Sequence, residues 1–238
     1  MIFRILYFII LFFCINNSCY NINIHAGGLL FPYLLGITAC IKKNYNIKTY
    51  NLTGTSAGSW ISLLYHYEKD LSDFDKMWNI LLKSNKSFSI KNLKNFNLIT
   101  DILYDNLLER YKNKNTNNIP ISIIVSKIKI PYIINQKIEK FDNIKDLLFY
   151  CKCSSYIPFI SNNKLYINYK NNKYVDGVIN KNLKLLNNNN SINIHNTMWN
   201  RKFNLNDYIN LNYDTSKILF EYGWNDTIKN IIHIKKNI

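Results

Sequence analysis

Ile47-Lys-Thr-Tyr-Asn-Leu-Thr-Gly54-Thr55-Ser56-Ala57-Gly58-Ser-Trp-Ile-Ser-Leu-Leu64 is the stretch on which the reading of the chain turns. Its β-branched and aromatic residues predict a strand from Ile47 to Thr53, closed by Gly54. After Ser56, the small and apolar residues Ala57, Trp60, Ile61, Leu63 and Leu64 recur at helical spacing, so a helix leaves the turn. Between the two lies G-x-S-x-G, the pattern of an elbow that lifts a serine into a strained turn. Its glycines omit the side chains that would collide where strand and helix cross. With only 7 glycines in the chain, the match falls where strand and helix are expected on other grounds, and Ser56 becomes a candidate nucleophile. The plainer alternative is a glycine-shaped turn in which Ser56 merely caps the helix.

Working upstream, Asn21 to His25 alternates polar and apolar residues and runs into Ala26-Gly27-Gly28, a strand followed by a tight turn. Leu29 to Lys43 follows as an apolar stretch of helical length. Strand, turn, helix and strand in that order predict a βαβ unit, hence a parallel sheet. A serine attacks an ester only if a base takes its proton and donors stabilise the oxyanion. The amides of Gly27 and Gly28, at a turn opening a helix, are candidates for the second part.

Working downstream, Asp70 to Lys114 predicts two or three helices, and Ile119 to Ile128 a buried strand with Ile130 to Ile138 as its hairpin partner or successor. Asn143 to Cys153 returns to helix. Leu165 to Tyr169 and Tyr174-Val175 flank a Lys-Asn-Asn-Lys turn, which puts Asp176 at a strand end before Gly177. Asp-Gly is also an ordinary β-turn, so only its context marks Asp176 as a base. Ile192 to His195 predicts another strand and Asp214 to Ile232 a last amphipathic helix.

The 238 residues suffice for one α/β domain and one site. Lys+Arg 30 against Asp+Glu 15 gives a formal charge of +15, which suits an anionic membrane face; no nucleic-acid motif accompanies it. Residues 1–19 carry one arginine and then an apolar run from Ile5 to Ile15, too short to span a bilayer. They read as a signal peptide or hydrophobic anchor sending residues 20–238 into a secretory or organellar route. The 5 cysteines fit neither a disulfide framework nor a zinc or redox spacing.

A glycine-containing loop after the first strand, G-x-S-x-G after the second, and a distant Asp-Gly pair together resemble the patatin-like phospholipases. Gly28 to Gly36 is similar to that family's oxyanion loop and following helix, and Ser154-Ser155-Tyr156-Ile157-Pro158 to the segment before its Asp motif. The resemblance runs from about Ile22 to about Leu186. It implies a three-layer α/β/α sandwich with a mainly parallel sheet, and a Ser56/Asp176 dyad without histidine. It further implies oxyanion donors at Gly27 and Gly28, an elbow of Gly54, Thr55, Ala57 and Gly58, and an Asp motif completed by Gly177 and Val178. Neither metal nor cofactor is implied, and the expected substrate is a glycerolipid or phospholipid. The chain departs from the pattern at Ala26, Phe31 and Val178, which leaves open a catalytically inactive relative that binds lipid. A Ser-Asp-His triad with His195 or His233 is the rival within enzymes.

Overall fold

The computed structural model describes residues 19–45, 47–83, 89–90, 96–180 and 191–230. The leader expected over residues 1–19, apart from Cys19, and His233 lie outside the described residues. Among those described, no helix is long and apolar enough to cross a membrane.

The first half is the predicted βαβ unit. Strand β1 (Tyr20–Ile24) leads through a short 3-10 turn at Gly28–Leu30 into α1 (Phe31–Asn44), and the chain returns as β2 (Tyr50–Thr55), parallel to β1 with Tyr20 opposite Tyr50. The strand begins three residues later than predicted and runs through Gly54, which pairs with Ile24 on one side and Ile123 on the other. Helix α2 (Ala57–Tyr67) leaves β2 after Ser56. Two helices follow, α3 (Phe74–Leu82) and α4 (Phe96–Tyr111), with the two-residue strand β3 (Ser89–Ile90) between them.

Strands β4 (Ile121–Lys129) and β5 (Tyr132–Ile138) form an antiparallel hairpin whose turn holds Ile130, a residue predicted to lie in the second strand. Helix α5 (Ile144–Ser154) starts where the Asn143 side chain accepts the Asp146 N–H, an N-cap that the Asn-rich composition supplies freely. After β6 (Ile167–Tyr169) and β7 (Asn172–Val175) come β8 (Ser191–Ile194), α6 (Leu205–Ile209), β9 (Leu211–Asn212) and α7 (Tyr213–Lys229). Sequence periodicity misses α6 and the two-residue β3–β9 pair because neither is long enough to repeat a pattern.

Among the described residues, seven strands form one sheet. β8, β1, β2 and β4 are mutually parallel, and β5, β7 and β6 add antiparallel partners. Leu52–Thr55 in β2 and Ile121–Ser126 in β4 are buried without alternation, so helices cover both faces of the sheet centre. α2 lies on β1, β2 and β4, α5 on β4 and β7, and α7 runs along α1. The fold is therefore an α/β sandwich around a mainly parallel sheet.

Register along β4 decides what the fold positions. β5 occupies one edge of β4 from Ile123 to Lys129, so β2 and β7 share the other edge. They approach head-on: β2 ends with Thr55 opposite Ile124, and β7 runs the other way to end with Val175 opposite Ser126. The next residue of each strand is Ser56 and Asp176.

Candidate active site

Ser56 takes φ 52 and ψ −123, a left-handed backbone that a residue with a Cβ adopts only under constraint. The constraint is the close crossing of α2 over β2 and the end of β1. A Cβ on Gly58 would lie 2.0 Å from the Ile24 carbonyl oxygen, and one on Gly54 2.5 Å from Ser59 Cα, so neither glycine can be replaced without moving backbone. Thr55 and Ala57 flank the serine, both buried.

Ser56 Oγ donates to Asp176 Oδ2 at 2.6 Å across 120 residues of sequence. Both residues are 3 % exposed. The other carboxylate oxygen accepts the Val178 N–H at 3.0 Å. Burial pushes the Asp176 carboxyl up to about 6, against the opposing pull of the hydrogen bonds from Ser56 and Val178. A carboxylate so placed is a stronger base than one in water. Gly177 fits because a Cβ there would stand 2.5 Å from the Ile124 carbonyl oxygen. Val178 does not crowd the carboxylate: its amide holds Oδ1 while its side chain is exposed.

The C-terminal end of α5 clamps both halves of the pair. Ser154 Oγ accepts the Ser56 N–H at 2.7 Å and donates to the Ile124 carbonyl at 2.6 Å. The Asp176 N–H donates to the Tyr156 carbonyl at 2.7 Å, and the Gly177 N–H to the Ser154 carbonyl at 3.1 Å. Ser155 Oγ accepts the Trp60 indole N–H, tying the same turn to α2. Ser154 is the residue that motif reasoning passes over. The Ser154-Ser155-Tyr156 stretch stands out in sequence as small residues before a proline, but nothing in it announces a bond to the elbow.

Gly27 and Gly28 form the turn after β1, with φ +54 at Gly28 and open space where its side chain would be. Gly28 and Ala57 line one apolar cavity of about 60 Å³, together with Leu29, Phe31, Trp60 and Leu103. Leu30, between two of these residues in the chain, lies outside the lining and is fully buried in the core. The Ser56 amide is taken by Ser154. The Ala57 amide, at the first position of α2, has no carbonyl of its own helix to bond.

The histidines stand apart from this pair. His195 Nδ1 lies 2.8 Å from Thr197 Oγ1, and its ring meets His25 edge-on at 5.7 Å. Burial holds both below the ordinary imidazole range, His25 further lowered by its neighbour His195. Among the described residues, no histidine hydrogen-bonds Ser56 or Asp176, which removes His195 as the third member of a triad. No group of His, Cys, Asp or Glu among them could hold a metal ion.

Compared with known proteins, the chain is matched by the family model described as patatin-like phospholipase over residues 24–190. No curated protein matches it. Among solved structures it is similar to VipD from Legionella pneumophila, with 12% sequence identity and a TM-score of 0.39, over 68% of this chain and 46% of that one. The chain thus spans under half the length of that protein. The family match runs from the last residue of β1 past the elbow and the Asp-Gly turn, and the chain belongs to the patatin-like phospholipase family.

Proposed function

We propose that the protein is a serine lipid acyl hydrolase that cleaves acyl esters of glycerolipids through an acyl-serine intermediate, with Ser56 as nucleophile and Asp176 as its base. The observation that carries this reading is the 2.6 Å hydrogen bond from Ser56 Oγ to a buried carboxylate. Membership in a family of lipid acyl hydrolases supports the substrate class.

Asp176 accepts the Ser56 proton as Oγ bonds the ester carbonyl carbon. The oxyanion is received by amides of the Gly27–Gly28 turn and of Ala57; Gly28 and Ala57 border the same cavity. Collapse breaks the bond to the glycerol oxygen, and the departing alcohol takes the proton from Asp176. Asp176 then removes a proton from water as the water oxygen attacks the acyl carbon. The carboxylic acid leaves and Ser56 recovers its proton. The apolar cavity suits the acyl chain, and the burial of Asp176 keeps its carboxylate basic.

Hydrolysis of a soluble short-chain ester and of a dispersed phospholipid by the purified protein tests this. Ser56→Ala and Asp176→Ala are each expected to lower kcat by about 10³-fold or more. Rates within a few-fold of each other in all three proteins would reject the enzyme and leave a lipid-binding member of the family.

A further inference from the structure

Three surface segments meet beside the candidate site: the tip of the β4–β5 hairpin, the loop after α5, and the turn that follows Asp176. Ile130, Tyr132 and Phe159 are 86%, 70% and 65% exposed, and Leu165, Val178 and Ile179 are exposed beside them. Single exposed apolar residues are ordinary, but a contiguous set marks a surface with a partner. Ile130, Tyr132, Leu165 and Ile179 border one shallow apolar hollow, which Pro158 also lines, and Phe159 and Val178 are the chain neighbours of Pro158 and Ile179. The segments are also tied together. Asn180 Nδ2 donates to the Ile133 carbonyl at 2.7 Å, and Asn135 Nδ2 donates to the Asn180 carbonyl at 2.7 Å. Within the loop after α5, the Phe159 N–H donates to the Lys164 carbonyl at 2.9 Å, and the Asp176 N–H ties the loop to the end of β7 through the Tyr156 carbonyl.

Charge narrows the partner. No Asp or Glu occurs from Ser126 to Ile138 or from Tyr156 to Val175, whereas these segments hold six lysines, at positions 127, 129, 137, 164, 170 and 173. Lys137 and Lys170 are paired with carboxylates of neighbouring segments. Lys129 and Lys164 are exposed and adjoin Ile130 and Leu165 in the chain, and Lys173 is exposed on β7 two residues before Val175, which lines the hollow. Of the carboxylates that flank these segments, Glu139 pairs with Lys137 and Asp176 is buried in the site.

We propose that this lysine-fringed apolar surface seats the protein on an anionic lipid bilayer, with Ile130, Tyr132 and Phe159 entering the headgroup layer. Apolar and aromatic side chains at the level of the headgroups, framed by cations, are the combination that such a layer rewards. A second copy of the chain fits less well, because it would bring two cationic fringes face to face. The proposal rests on the lipid hydrolase reading for its purpose: the surface begins two residues after the base and brings the site to the layer that contains the ester.

Co-sedimentation of the purified protein with vesicles of phosphatidylcholine alone, and of phosphatidylcholine and phosphatidylserine at about 2:1, is the test. The wild type is expected to bind the anionic vesicles about tenfold or more tightly than the neutral ones. The triple variant Ile130→Asp, Tyr132→Asp, Phe159→Asp is expected to lose about tenfold or more of that binding, yet hydrolyse a soluble short-chain ester within about twofold of wild type. A second variant, Lys129→Glu, Lys164→Glu, Lys173→Glu, is expected to lose the preference for anionic vesicles. Ser56→Ala is expected to bind vesicles like wild type, so loss of ester hydrolysis alone leaves the surface standing while the catalytic reading falls. Undiminished vesicle binding by both multiple variants would overturn the proposal. So would conversion of a dimer to a monomer by the first variant with vesicle binding intact, which would assign the surface to self-association.

Discussion

At the scale of single residues, Asp176 carries a conflict between stability and function. Its folded carboxyl titrates near 6 and the ordinary value is 3.8, a difference worth about 3 kcal/mol. Below 3.8 the folded and unfolded chains both hold the proton, and the buried group costs nothing in charge. Between 3.8 and about 6 the unfolded chain releases its proton while the folded one keeps it, so stability declines as pH rises and stays lower above that window. Under the proposed mechanism activity runs the other way, because only the ionised carboxylate would accept the Ser56 proton. We expect kcat/KM on a soluble ester to be half-maximal near pH 6 and to fall about tenfold per pH unit below it. Asp176→Asn should be inactive and, at pH 8, unfold at higher denaturant than wild type, with the gain vanishing near pH 4. A gain that persisted at pH 4 would show that charge burial is not its source. Ser56 was readable from sequence because G-x-S-x-G has a steric reason for each glycine. Asp176 was readable only by its order in the chain, and Ser154 was not, since a serine that bonds a distant amide looks like any other serine.

At the scale of elements, two strands that run head-on along one edge of β4 do what no motif specifies. Alternation and β-branched residues marked β1, the hairpin and β7, and apolar spacing marked the long helices. The pairing partners were not legible, because a strand's sequence records which faces are buried and not which neighbour lies at its edge. The closeness of that meeting makes Gly177 the element-level test. A Cβ there would press on the Ile124 carbonyl oxygen at 2.5 Å and on Thr55 Cγ2 at 2.8 Å, and the first of these is backbone of the central strand. We expect Gly177→Ala to move the base away from the elbow and lower kcat by about 10²-fold, with a smaller change in KM. Unchanged kcat would mean that the turn has slack to absorb a methyl group, and that the registry of β2 and β7 does not set the dyad distance.

At the scale of the whole molecule, the formal charge of +15 gains a direction once the acids are located. Glu68, Asp101, Glu109, Asp142, Asp146 and Asp226 are each within ion-pair distance of a lysine or arginine, so much of the negative charge is spent within the fold. In the hairpin and from the loop after α5 to the end of β7, Lys137 and Lys170 pair with acids, while Lys129, Lys164 and Lys173 are exposed and belong to no ion pair among the described residues. In the proposed arrangement, attraction between that face and an anionic layer acts through solvent and is therefore screened, whereas the proposed chemistry at Ser56 is buried and is not. Raising salt from about 0.01 M to about 0.15 M shortens the screening length from roughly 30 Å to roughly 8 Å. We expect hydrolysis of lipid in anionic vesicles to fall about tenfold over that range, while hydrolysis of a neutral soluble ester stays within about twofold. Apolar contact through Ile130, Tyr132 and Phe159 is insensitive to salt, so the rate that survives at high salt measures its share and should disappear in the triple aspartate variant. If both substrates instead slowed in parallel, the salt would be acting on the fold or the dyad, and the surplus of lysine would have no part in bringing the enzyme to its substrate.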